Sequence, residues 1–194
     1  FLPNGILDAL VNLAIVMAAY WIYRYSRGMV DYELAKETAF ANADWIMSVE
    51  RTLHLDMERA MQSFSHTVPF LNDVSSFMYI NFQSTVTFGA IAYIYSVHNQ
   101  AFGFVRNMFI FAWLIALVCY VVVPTAPPRL VPGLGIEDSV AEFTGVDPNE
   151  GAVSKLFNPY AAVPSMHVGF AMMIGLPLAG LSRTRAVRVF WLLY

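Results

Sequence analysis

The sequence predicts an all-α membrane protein, a polytopic bundle of about five transmembrane helices accompanied by amphipathic helices lying on the membrane surface. Three observations lead there. Of the 194 residues, 58% are hydrophobic and 13% charged, with a mean hydropathy of +0.54, whereas soluble domains hold roughly a quarter charged residues. Apolar runs near the ~20 residues needed to cross ~30 Å of hydrocarbon recur along the chain. Between the first two runs, charged and apolar residues instead alternate at helical spacing.

The first span runs from Ile6 to Tyr23 and lacks the basic leader and small-residue cleavage site of a signal peptide. Residues 24–73 follow, with "DYELAKETAFANADWIMSVERTLHLDMERAMQSF" at their centre, and read as interfacial amphipathic helices. Arg51 and His54 in this stretch are suited to headgroup contact. The remaining spans are Val74–Tyr95, Val105–Val123 and Val163–Leu181, with a fifth starting near Val187. The chain thus divides into a first transmembrane helix (1–23), an interfacial segment (24–73) and a transmembrane core (74–194). It starts at Phe1 and stops inside the apolar run "VFWLLY", so the core is expected to be truncated at its C-terminus.

The third span ends in "VVVPTAPPRL", where Pro124, Pro127 and Pro128 forbid a continuing helix. A loop of about 35 residues then reaches Pro164 and carries Glu137, Asp138, Glu142, Asp147 and Glu150. Both ends of this loop face the same side of the membrane. The fourth span ends in "SRTRAVR", whose Arg183, Arg185 and Arg188 mark the cytoplasmic side by the positive-inside rule. The proline-rich loop is therefore expected on the extracytoplasmic side, although Arg24 and Arg27 run against this bias.

Composition excludes several classes. A net charge of −3 without a basic run leaves no footprint for nucleic acid. The single Cys119 rules out an intrachain disulfide or a cysteine-based metal cluster. No metal and no cofactor are expected, and the partners expected are membrane lipids.

Chemistry concentrates in "YAAVPSMHVGFAMMIG", residues 160–175. Proline suits the first turn of a helix, so Pro164 marks a helix start. The amides of Ser165, Met166 and His167 then lack helical partners at the positive end of the helix dipole, where anions bind. The Ser165 hydroxyl adds a donor, and a His167 imidazolium can protonate a leaving oxygen. A phosphate group uses all of these. Simpler roles exist for each residue alone: His167 at a membrane interface, Ser165 as a helix cap, Arg129 as a headgroup anchor. Arg129 in "PTAPPRL" changes the balance, because it lies on the same face and can grip two phosphate oxygens at once. Tyr79 and Gln83, one turn apart in the second span, suit interhelical hydrogen bonds and are candidates to line the substrate.

"PTAPPRL" followed about 35 residues later by "NPYAAVPSMHVGF", with the spans around them, resembles the type-2 phosphatidic acid phosphatase superfamily. Within it the chain looks like the branch of the inositol phosphorylceramide synthases. The resemblance covers roughly residues 74–181 and implies six transmembrane helices in the full protein. By position, it implies that Arg129 clamps phosphate, that Ser165 and the backbone of Met166 hold phosphate oxygens, and that His167 is the catalytic general acid. The reaction implied is phosphoryl transfer through a phosphohistidine without a metal. The chain departs from the phosphatases at Val122, where they carry lysine, at Leu130, where they carry proline, and at Met166, where glycine is common. Ser182–Arg183 imitates the opening of the family's third segment, but Val189 stands where its histidine belongs, and the arginines put it on the opposite side. The nucleophilic histidine and its aspartate are expected 10 to 25 residues beyond Tyr194.

The resulting expectation is an integral-membrane lipid phosphate phosphatase or phosphotransferase acting on a lipid-phosphate substrate at the outer leaflet. The alternative is a non-catalytic scaffold or transporter subunit with the same fold.

Overall fold

The computed structural model describes residues 2–28, 32–138 and 158–194. These form seven α-helices: α1 (Gly5–Gly28), α2 (Tyr32–Thr52), α3 (Glu58–Thr67), α4 (Pro69–Val97), α5 (Asn99–Val122), α6 (Met166–Leu181) and α7 (Arg185–Leu193). A single 3-10 turn, Pro128–Leu130, follows α5. Among the described residues there is no β-strand, and the one extended pairing is an isolated parallel bridge between Thr125 and Ala161. The protein is an all-α membrane bundle.

Two helices are long and apolar enough to cross a membrane outright: Gly5–Arg27 within α1, and α5. The 29 residues of α4 would span roughly 43 Å at 1.5 Å per residue, but Asn72, Asp73, Asn81, Gln83 and several hydroxyl side chains dilute its hydropathy. The 16 residues of α6 are apolar but short, with Pro177 inside. Helix α5 ends at Val122, two residues before the Pro124 expected to stop it. Pro164, in contrast, lies outside α6: Ser165 takes the N-cap position and Met166 is the first helical residue. The first helical hydrogen bond runs from Gly169 N–H to Ser165 O at 3.0 Å, so residues 165–168 make up the first turn, ahead of the intrahelical ladder.

The chain forms two compact units, Phe1–Arg24, Asn81–Ala116 and Ser165–Tyr194 in one, Tyr25–Ile80 and Leu117–Pro164 in the other. The first unit packs on large side chains. Trp113, 5% exposed, contacts Tyr20, Tyr23, Phe109 and Phe170 with ring centroids 6.0–6.3 Å apart. At one end the Tyr95 hydroxyl donates to Asp8 at 2.8 Å, Asn4 Nδ2 donates to Asn99 at 3.0 Å and Arg106 donates to Asn12. These bonds satisfy polar groups that hydrocarbon would otherwise leave unpaired. Gly175 of α6 meets α7 so closely that a methyl group there would fall 2.5 Å from the Trp191 carbonyl oxygen. Only glycine lets the two backbones approach like this.

The second unit combines small side chains with buried tyrosines, Tyr120 among them. Ala39 and Ala43 of α2, Ala126 and Tyr160 form its core, with Phe40, Leu130 and Val131 packed against them. Leu34, Trp45 and Val49 of α2, and Met61 and Phe64 of α3, remain exposed. These apolar side chains interleave with Lys36, Glu37, Glu50 and Arg59, the pattern of a helix at a lipid interface.

Candidate active site

The first motif and the opening of the second, up to Pro164, meet within the second unit. Three prolines keep residues 124–128 out of a helix, and their backbone is bonded by other means. Thr125 N–H donates to Tyr160 O at 2.8 Å, Ala162 N–H returns to Thr125 O at 3.3 Å, and Ala126 N–H donates to Ala39 O at 3.0 Å. Asn42 Nδ2 donates to Pro124 O at 2.8 Å. The Tyr120 hydroxyl, 1% exposed as a residue, donates to Pro164 O at 3.1 Å. "PTAPPRL" and "NPYAAVP" are thus cross-linked through their main chains and held on α2.

Arg129 sits in the 3-10 turn, its side chain 27% exposed, with Nε 2.9 Å from Asp138 Oδ2. The charges touch, but the N–H is not aligned on the carboxylate as a hydrogen bond. Tyr79 of α4 lies within electrostatic range of both Arg129 and Asp138. This places one of the two α4 candidates, Tyr79, near Arg129, whereas Gln83 belongs to the first unit. Asn158 was not expected from the sequence. It is 4% exposed, its Oδ1 accepts from Tyr160 N–H at 2.8 Å, and its Nδ2 has no hydrogen-bond partner among the described residues. A buried donor left unmade is uncommon enough to mark this asparagine as more than loop filler. No sequence pattern announced it, because burial of a loop amide depends on what packs over it.

Ser165, Met166 and His167 open α6 in the first unit. Ser165 is exposed, and although it occupies the N-cap position its side chain makes no capping hydrogen bond. The hydroxyl therefore stays available to a ligand. His167 is half-buried.

Other polar groups fall elsewhere. In the first unit a cavity of ≈ 580 Å³ is lined by Tyr93, His98, Ser182, Arg183, Thr184 and Trp191 among others. It gathers the imitation of the third segment with His98, at the turn between α4 and α5. In the second unit a cavity of ≈ 340 Å³ lies between α2 and the proline-rich loop, bounded by Glu50, Arg51, Asp56, Arg59, Thr125 and Pro128 among others. Burial, with the Glu58 and Asp56 carboxylates nearby, pushes the Glu50 carboxyl above its ordinary range. His66, assigned from sequence to the interfacial segment alone, lies 3.7 Å from the Glu137 carboxylate. Glu142, Asp147 and Glu150 of the acidic loop lie outside the described residues. Among the described residues no group of three or more histidine, cysteine, aspartate or glutamate side chains is arranged to hold a metal.

The family model described as the PAP2 superfamily matches residues 44–194, from the middle of α2 to the last residue. The chain belongs to the PAP2 superfamily. It is thereby a membrane protein of a superfamily of phosphatases and phosphotransferases. No curated protein and no solved structure matches it. The matched residues include both motif segments and the α3 helix that contacts the loop after Arg129, so the family region reaches well into the interfacial part of the chain.

Proposed function

We propose that this PAP2 protein is an integral-membrane lipid phosphate phosphatase or phosphotransferase, with its site on the extracytoplasmic side. The observation that carries the reading is the backbone cross-link between Thr125 and Tyr160–Ala162. It joins the loop bearing Arg129 to the segment that continues, one residue past Pro164, into Ser165 and His167. Arg129 takes two oxygens of the lipid phosphate, and the Ser165 hydroxyl and Met166 amide take the others. A nucleophile attacks phosphorus from the face opposite the lipid. As the phosphorus–oxygen bond to the lipid breaks, His167 gives its proton to the departing alkoxide. Water or a lipid alcohol then accepts the phosphoryl group, giving free phosphate or a new phospholipid.

The nucleophile is a histidine of the family's third segment, and the reading assigns it to no residue of this chain. Arg183 of the α6–α7 turn and His98 line one cavity, which the positive-inside rule assigns to the cytoplasm. The second unit's cavity offers room beside the clamp for a headgroup or an acceptor alcohol, and Tyr79 borders the same charges. The departures at Val122, Leu130 and Met166 favour the transferase branch.

His167→Gln tests the reading. The variant should melt like the parent, since it removes a half-buried ring without burying a charge. It should lose phosphate release from phosphatidate, or headgroup transfer, by roughly 10²- to 10⁴-fold, the range of general acid–base catalysis. Near-parent turnover in a mixed-micelle assay would eliminate His167 as the acid.

A further inference from the structure

Helix α3 is tied to the segment after Arg129 by a set of bonds that the phosphoryl-transfer chemistry leaves unused. Arg59 donates from Nε to Leu134 O at 2.6 Å and from Nη2 to Gly133 O at 2.7 Å, so one guanidinium grips two successive carbonyls. Gln62 makes a reciprocal pair with Glu137, Nε2 donating to its carbonyl at 3.2 Å and Oε1 accepting from its N–H at 3.3 Å. The shape of the segment is set by Gly133 and Gly135, at φ +78° and +65°, a region that other L-residues rarely adopt. The residue after Glu137 is Asp138, whose carboxylate touches Arg129.

We propose that Asp138 is a built-in occupant of the Arg129 phosphate clamp, positioned by α3 through Arg59 and Gln62, and that a lipid phosphate binds by displacing it. The inference rests on the reading of Arg129 as the clamp. A carboxylate and a phosphate offer a guanidinium the same kind of oxygen pair, so one can stand in for the other. An arginine three-quarters covered and facing no anion would carry an uncompensated charge; Asp138 neutralises it until substrate arrives. The pair is built to yield. Nε lies 2.9 Å from the carboxylate but its N–H is misaligned, so the pair lacks the aligned, two-bond geometry that a phosphate can offer the guanidinium. Because α3 fixes the backbone at Gly133, Leu134 and Glu137, the carboxylate stays beside the guanidinium and competes with substrate at a high local concentration.

The test uses the full chain in mixed micelles, with short-chain phosphatidate as substrate and inorganic phosphate as competitor. Asp138→Asn should lower both KM and the phosphate inhibition constant by about two- to fivefold, the range of a partly exposed ion pair, with the change in KM larger than any change in kcat. Asp138→Glu should restore parent values. Arg59→Met, which releases the segment without touching the carboxylate, should shift KM in the same direction and add little to Asp138→Asn. An unchanged or raised inhibition constant in Asp138→Asn overturns the proposal, as does an Arg59→Met variant that only loses stability. Arg129→Gln separates the two levels: if it keeps parent KM and kcat, the clamp reading fails and this inference with it. If Arg129→Gln is inactive while Asp138→Asn binds phosphate like the parent, only the inference fails.

Discussion

The two units are held together by different means. In the first, Trp113 collects four aromatic rings and α6 meets α7 at Gly175, so side-chain volume sets the geometry. In the second, alanines and a tyrosine form the core, and main-chain hydrogen bonds from Thr125, Ala126 and Ala162, with the side chains of Asn42, Tyr120, Arg59 and Gln62, set it. The difference follows from what each carries. Helices in an apolar solvent satisfy their own backbones and need only shape complementarity. A proline-rich loop cannot satisfy its own backbone, so it must borrow partners from neighbours. Damage to the packing of the first unit, away from Ser165 and His167 at the start of α6, should therefore read out as lost stability. Damage to the second should read out as lost activity.

The largest effect that sharpens this contrast is expected at Gly175. Gly175→Val puts a branched side chain where even a methyl would collide with the Trp191 carbonyl, and overpacking of this kind costs about 1–3 kcal/mol. Thermal unfolding in detergent should shift down by several degrees, with kcat of the surviving fraction near the parent's. An unshifted melt would mean that α7 is free to move off α6.

A smaller and opposite pattern is expected for Tyr120→Phe. It deletes the donor to Pro164 O and leaves a part-buried carbonyl with one fewer partner, worth about 1 kcal/mol. Turnover should fall by more than that stability loss implies, because Pro164 is the residue before Ser165. Equal, proportionate losses in stability and rate would erase the distinction between the units.

The smallest effect is expected from Glu50. Burial and the neighbouring Glu58 and Asp56 raise its folded pKa, so the folded state favours the protonated form. Its contribution to stability is then fully present below the ordinary carboxylate pKa and is lost as pH rises through the raised folded value. Glu50→Gln should remove that loss. Its melting temperature at neutral pH should rise slightly, by the equivalent of less than about 0.5 kcal/mol, and the gain over the parent should vanish below pH 4. A variant less stable than the parent at neutral pH would contradict the charge repulsion.

Much of the helical layout was legible because apolar runs and prolines act locally. The end of α5 follows from Pro124, and the amphipathic stretch after the first run folds as α2 and α3. Pro164 misled by two residues: proline suits several positions around a helix start, and only the Gly169-to-Ser165 hydrogen bond shows which one it took. His66 and Asn158 were invisible as site neighbours, since the partner of His66 lies 71 residues on in Glu137 and the burial of Asn158 depends on what packs over its loop.

By itself the sequence determined the class of the protein and the inventory of its chemistry. Hydropathy, proline placement and the spacing of Arg129 from Ser165 and His167 are properties of residue type and order, and no packing is needed to read them. Only the tertiary structure decided that "PTAPPRL" and "NPYAAVP" pair through Thr125 and Ala161, that Ser165 leaves its helix uncapped, and that Asp138 rests on Arg129. Those depend on which of many acceptors lies within 3 Å of a donor once a loop has closed, and that choice is made by the geometry of the neighbouring helices rather than by any local preference of the residues themselves.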